Sequence, residues 1–156
     1  AETFRRAIDV PVSVLPHFVT EPPETSVNMR SHLSIPPDVF MGLAIMDIQS
    51  CPARKNPWAH VLAWRRAFGD DPTAILVMKI RVSKRTQTVL KELHELARGA
   101  SNIRLISEDL EHSEIAALHR AADLYMSLHC AEGFGLNISE ALLLGKPVVA
   151  TNWSAN

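Results

Sequence analysis

Two carboxylates bracket a short glycine loop at residues 132–140, "EGFGLNISE": Glu132 precedes Gly133, Phe134 and Gly135, and Glu140 falls inside the helix that follows. This composition suits an anionic ester. Gly133 and Gly135 let the backbone adopt φ > 0 and approach a ligand closely. The amides of Leu136, Asn137 and Ile138 fall at a helix start, where N–H groups lack intrahelical partners and point toward an anion. A carboxylate beside a phosphate is repelled by it, so Glu132 and Glu140 suit neutral hydroxyls, which an ionised carboxylate accepts strongly. Hydroxyls at both ends of a diphosphate describe a nucleoside diphosphate sugar. The same glycines also serve a plain strand-to-helix turn, and the helix dipole favours an early glutamate in any case.

A second cluster, "CPARKNPWAH" at residues 51–60, puts Arg54 and Lys55 in a loop after the first long apolar segment, just ahead of a helix. In an open parallel sheet, ligands sit at the carboxyl ends of the strands, so this loop and the glycine loop share an edge. Two fixed cations there would neutralise a diphosphate and stabilise it as a leaving group, replacing a metal ion. A solvated basic pair at a loop tip is the plainer alternative. His129 and Cys130 adjoin the glycine loop, but neighbours on a strand end point to opposite faces, which argues against a catalytic or metal pair. A glycosidase pairing of Glu132 with Glu140 would need a defined carboxyl separation that sequence spacing does not supply.

The elements that must position these residues alternate along the chain. Residues 39–48, "VFMGLAIMDI", form a nearly continuous apolar run, as expected of a strand covered on both faces. Helix-spaced apolar residues follow at 57–68, with Trp58 and Trp64 read as core; then come a strand at 73–80 and a helix carrying Val89, Leu93 and Leu96. Further strands are expected at 102–107, 123–128 and 147–151, with helices at 111–122 and 136–145 between them. This β-α alternation implies an α/β domain: a Rossmann-like parallel sheet with helices on both faces. The chain reads as a single nucleotide-sugar-binding domain, with an α/β core over 39–156 that is truncated at its C-terminus. Residues 1–38 are an entry segment leading into that core: a short helix at 1–8, a strand from Val10 ending at Pro16, and a proline-rich loop that buries little.

Composition narrows the partners. The 156 residues carry 16 basic and 17 acidic side chains and a formal charge of −1, so no overall basic field draws the chain onto nucleic acid. No apolar run approaches the roughly 20 residues of a membrane span. Cys51 and Cys130 are far apart and lack ligand spacing, which argues against a disulfide scaffold or structural zinc and suggests a reducing cytoplasm. A longer parent protein would still be free to associate with a membrane.

The segment "EGFGLNISEALLLGKPVVAT" resembles the E-x7-E block of retaining glycosyltransferases with the GT-B fold, the group 1 or family 4 enzymes. "RKNPWAHVLAWRRAF", "ILVMKI" and "AALHRAADLYMSLHCAEGFG" are similar to its other blocks in the same order. The resemblance implies a C-terminal, donor-binding, Rossmann-like domain, one half of a GT-B fold. It would take part in moving a hexose from a nucleoside diphosphate sugar to an acceptor hydroxyl, with retention and without a metal or other cofactor. Carried over, Glu132 holds the hexose hydroxyls and acts catalytically with Lys55 and Arg54 on the diphosphate. The backbone of Gly133, Phe134, Gly135 and Leu136, with Asn137, meets the donor, and Glu140 accepts the ribose hydroxyls. The family commonly has Gly-Arg at the end of its first strand, whereas "MDIQS" has no arginine, and Arg54 is only a candidate for that role. The acceptor (a glycan, lipid or small molecule) would be bound by an N-terminal domain with no counterpart here, leaving this chain alone inactive. A GT-B nucleotide-sugar epimerase and a non-catalytic nucleotide-binding module are the alternative readings.

Overall fold

A computed structural model describes residues 2–15 and 17–153. Its centre is a pair of eight-residue parallel strands, β1 (Phe40–Asp47) and β2 (Ala74–Arg81), joined in register from Phe40 opposite Ala74 to Asp47 opposite Arg81. Most positions of β1 and all but the last of β2 are buried, the outcome anticipated for apolar runs without polar alternation. Three shorter strands complete a five-stranded parallel sheet: β3 (Ile103–Ile106), β4 (Leu124–Ser127) and β5 (Val148–Ala150), in the order β3-β2-β1-β4-β5.

The helices between the strands divide the core into two layers. Met41 and Leu43 of β1 and Ile75 and Val77 of β2 face α6 (His112–Ala121) and α7 (Leu136–Leu143), where Leu118 and Ile138 meet them. The alternate residues Ala44, Met46, Leu76 and Met78 face α4 (Pro57–Phe68) and α5 (Gln87–Leu96), against Val61, Trp64 and Leu93. Period-two alternation within a strand thus feeds two helical layers. Trp64 is buried as anticipated; Trp58 is half-buried, and its indole N–H donates to Glu92 Oε2 at 3.0 Å.

The lead-in differs from its sequence reading. After α1 (Glu2–Ala7), the described residues of 10–19 form no strand. β-branched composition alone does not make a strand there: Pro11 and Pro16 lack ladder donors. The proline-rich segment, in turn, buries more than its composition suggests. It holds a four-residue helix, α2 (Met29–His32), whose amino end is capped where Ser31 N–H donates to Asn28 Oδ1 at 3.0 Å. Met29 and Ile35 enter the core, and the Arg30 guanidinium donates to Ala121 O, Val39 O and Asp123 Oδ2 at 3.0, 2.8 and 2.7 Å. Among the described residues, no helix is long and apolar enough to cross a membrane.

Gly42 explains how Trp64 lies so close to β1. A Cβ at Gly42 would stand 2.5 Å from Trp64 Cζ3 and 2.9 Å from Cη2, inside contact distance of a buried indole. Gly42→Ala is therefore expected to cost about 1–3 kcal/mol through overpacking. Thermal denaturation should register this as a fall of several degrees, and an unchanged midpoint would show that the indole has space to shift.

Candidate functional site

Two loops meet at the carboxyl edge of β1 and β4. After β1 the chain makes a single helical turn, α3 (Pro52–Lys55), and reverses at Asn56, which adopts the left-handed conformation at φ 50°. Arg54 and Lys55 thus stand on a helical turn rather than in an open loop. Asn56 Nδ2 donates to Leu128 O at 3.0 Å, and Cys130 N–H donates to Arg54 O at 2.8 Å. His60, buried in α4, closes the junction. Leu128 N–H donates to His60 Nε2 at 3.0 Å, so the other ring nitrogen, Nδ1, carries the proton and donates to Asn56 O at 3.1 Å. Burial lowers the His60 pKa to about 4, outweighing the backbone bonds that favour the charged ring.

This stitching brings together residues remote in sequence. Lys55 Nζ pairs directly with Glu132 Oε2, and Arg54 Nη1 lies 3.5 Å from Glu132 Oε1 while donating to Ala131 O at 3.0 Å. Gly133 N–H donates to the same Oε1 at 3.0 Å. Burial works against the Glu132 charge, but the Lys55 bond, the Gly133 amide and the two cations prevail, and the carboxyl sits below its ordinary range. Glu132 is therefore ionised and already neutralised by the cations expected to hold phosphate.

The glycine loop turns once, at Gly135, with φ 81°; Gly133 does not adopt a positive φ, contrary to the sequence reading. Gly135 is the N-cap of α7 and offers no side-chain cap. Ser139 N–H closes the first turn onto Gly135 O, while the amides of Leu136, Asn137 and Ile138 have no hydrogen bond among the described residues. They border a hollow of about 280 Å³ lined by Lys55, Glu132, Phe134 and Asn137, with Ile45 and Tyr125 behind them. His17 of the lead-in caps one side, its ring edge-on to Phe134 at 4.9 Å.

Glu140 stands apart from this group. It does not line the hollow; its Oε2 lies 3.3 Å from Nε2 of His119, a fully buried ring that also reaches Asn137 Oδ1 at 3.3 Å and stacks on Tyr125. Both partners are acceptors, so Nε2 bears the proton. His129 is buried and its Nδ1 lies 2.9 Å from Ser127 Oγ, whereas Cys130 is exposed, in keeping with opposite faces. Sequence reasoning missed His60 and His119 as parts of this edge. The one available signal was His60 standing one turn before Trp64 on the inner face of α4. Among the described residues, no three His, Cys, Asp or Glu side chains converge as metal ligands.

The model of the family described as "Glycosyl transferases group 1" matches residues 83–156. The match covers just under half of the chain. It holds α5 through β5, including the glycine loop and α7. No curated protein is significantly similar to the chain in sequence. Solved structures match well in fold. The C-terminal domain of LpcC, a group 1 glycosyltransferase of Francisella tularensis, is 24% identical, with a TM-score of 0.67 over 85% of this chain and 67% of its own. A glycosyltransferase of Rickettsia africae gives a TM-score of 0.69 at 21% identity over 82% of this chain and 32% of its own. HepE of Anabaena, solved with UDP and glucose, gives 0.67 at 22% over 81% of this chain. The chain spans 33% of HepE. The fold is that of the C-terminal half of a GT-B glycosyltransferase.

The His60 junction makes stability depend on pH. The neutral folded ring has a pKa near 4 and the unfolded ring near 6.5, so the unfolded state takes up a proton first as pH falls. Stability contributed by this residue is complete above pH 6.5 and declines until pH 4, by about 3 kcal/mol. Urea denaturation of the parent and of His60→Gln across this range should show a shallower pH dependence in the variant; parallel curves would contradict the assignment.

Proposed function

We propose that the chain is the donor-binding domain of a retaining glycosyltransferase that moves a hexose from a nucleoside diphosphate sugar to an acceptor hydroxyl. The observation that carries this reading is the meeting of Lys55 and Glu132 with the uncapped amino end of α7 in one hollow, with Arg54 against the Glu132 carboxylate. The family match supports a transferase, and neighbours of the same fold were solved with UDP-glucose and with UDP-2-fluoro glucose.

In this reading the donor exchanges partners with the protein. The diphosphate takes Lys55 and Arg54 away from Glu132 and accepts from the amides of Leu136, Asn137 and Ile138. The freed carboxylate of Glu132 then accepts hydrogen bonds from the hexose, with Gly133, Phe134 and Gly135 against its face. Glu140 accepts the ribose hydroxyls, held for that task by His119. When the bond between the anomeric carbon and the phosphate oxygen breaks, its electron pair goes to the diphosphate, which the two cations and the helix amides stabilise without a metal. The acceptor comes from a second domain, across a cleft. The exposed free thiols of Cys51 and Cys130 fit a reducing, cytoplasmic setting.

Charge-assisted bonds of this kind contribute about 1.5–3 kcal/mol, so Lys55→Ala should weaken UDP binding roughly 10- to 100-fold and leave uridine binding unchanged. Calorimetry on both ligands decides. Equal affinity of the parent chain for uridine and UDP would remove the case for a diphosphate cradle.

A further inference from the structure

His119 does more than packing asks of it. It lies on α6, only 1% exposed, with its ring stacked on that of Tyr125 at 5.4 Å. A buried polar ring is tolerated when its nitrogens find partners, and this one is served on one side only: Nδ1 has no hydrogen-bond partner among the described residues. For packing alone, a phenylalanine would fill the same space without leaving a desolvated nitrogen unpaired. The occupied nitrogen is Nε2, and it reaches α7 twice, lying 3.3 Å from Glu140 Oε2 and 3.3 Å from Asn137 Oδ1. Asn137 and Glu140 are three residues apart on that helix, so they share a face and a single N–H meets both.

The orientation of Asn137 follows from this sharing. A carboxylate offers only acceptors, so Nε2 is the donor, and the Asn137 atom that meets it is the oxygen. The planar amide then turns Nδ2 away from His119, and that nitrogen donates to nothing among the described residues. Asn137 is half-buried in the first turn of α7 and borders a second hollow as well as the first. The two hollows have Ile45, Met46, Lys55 and Asn137 in common, and Lys55 and Asn137 are the polar members of that set. A ligand that extends from one hollow into the other therefore passes an ammonium and an amide NH2. With Oδ1 engaged by His119, both side chains act there as donors. A phosphoryl oxygen, which only accepts, is the group that suits such a passage.

We propose that His119 is a positioning residue, which holds the Asn137 side chain so that Nδ2 donates to a phosphoryl oxygen of the donor beside Lys55. The inference rests on the donor-site reading above and deepens it by naming a side-chain contact to the phosphates and the buried residue that aims it.

Calorimetry of the full chain with UDP and with uridine tests it, because the ratio of the two affinities isolates what the phosphates gain and leaves out what Glu140 gives the ribose. Asn137→Ala should lower that ratio about 3- to 10-fold, the loss expected of one hydrogen bond. His119→Phe, which retains an aromatic ring against Tyr125, should lower it by the same factor, and the double variant should lower it no further. Losses that add in the double variant would make His119 a packing residue and overturn the proposal, as would an unchanged ratio in either folded single variant. If His119→Phe does not fold, nitrogen shifts of the labelled parent chain decide. The His119 ring should carry its proton on Nε2, and the side-chain amide of Asn137 should shift with UDP and stay in place with uridine. A proton on Nδ1, or an Asn137 side chain indifferent to UDP, would overturn the proposal. A parent chain that prefers UDP to uridine through Lys55 but not through Asn137 overturns this inference alone; one that binds both equally removes the diphosphate site with it.

Discussion

The ionised carboxylate of Glu132 ties the carboxyl edge of the sheet together. It arrives on the loop after β4 and meets Lys55 and Arg54, which arrive on the turn after β1, across 77 and 78 positions of sequence. Half-buried cations placed side by side repel one another, and a half-buried carboxylate alone would be driven to take up a proton. Each side of the pairing makes the other tolerable. The backbone around it is pinned by neutral bonds, from Asn56 to Leu128 O and from Leu128 through His60 back to Asn56 O, so the charges meet on a prepared frame.

That frame leaves the amino end of α7 uncovered. Gly135 provides the left-handed turn but no capping oxygen, so the first amides of the helix face the hollow beside Lys55. A site of this kind is balanced rather than strongly positive. Its cations are held by Glu132, and in the proposed function a ligand with more negative charge would compete for them and free a carboxylate where sugar hydroxyls would lie. Charge pairing within the protein and the proposed charge pairing with a donor are alternatives for the same atoms.

Much of this architecture was legible in the sequence, for a physical reason. Strands buried on both faces read as unbroken apolar runs, and those at 40–47 and 74–81 have that form, so the parallel sheet and its helices follow. The lead-in was misread in both directions because local composition carries no record of partners. Its β-branched residues found no neighbouring strand, while Met29, Arg30 and Ile35, hidden among prolines and polar residues, found a core. The site was legible in its residue types but not in its state. That Glu132 pairs with Lys55, that Glu140 turns to His119, and that His60 accepts from Leu128 are tertiary facts with no periodicity to announce them.

The central claim is that the amides opening α7 and the cations of α3 form one receptor for a diphosphate. Amide chemical shifts of the labelled chain during titration with UDP, and separately with uridine, test it directly. The account predicts that the amides of Leu136, Asn137 and Ile138 move together with that of Gly133, whose bond to Glu132 is disturbed, and that uridine leaves them in place. Shifts confined to other parts of the chain, or identical shifts with uridine, would contradict it.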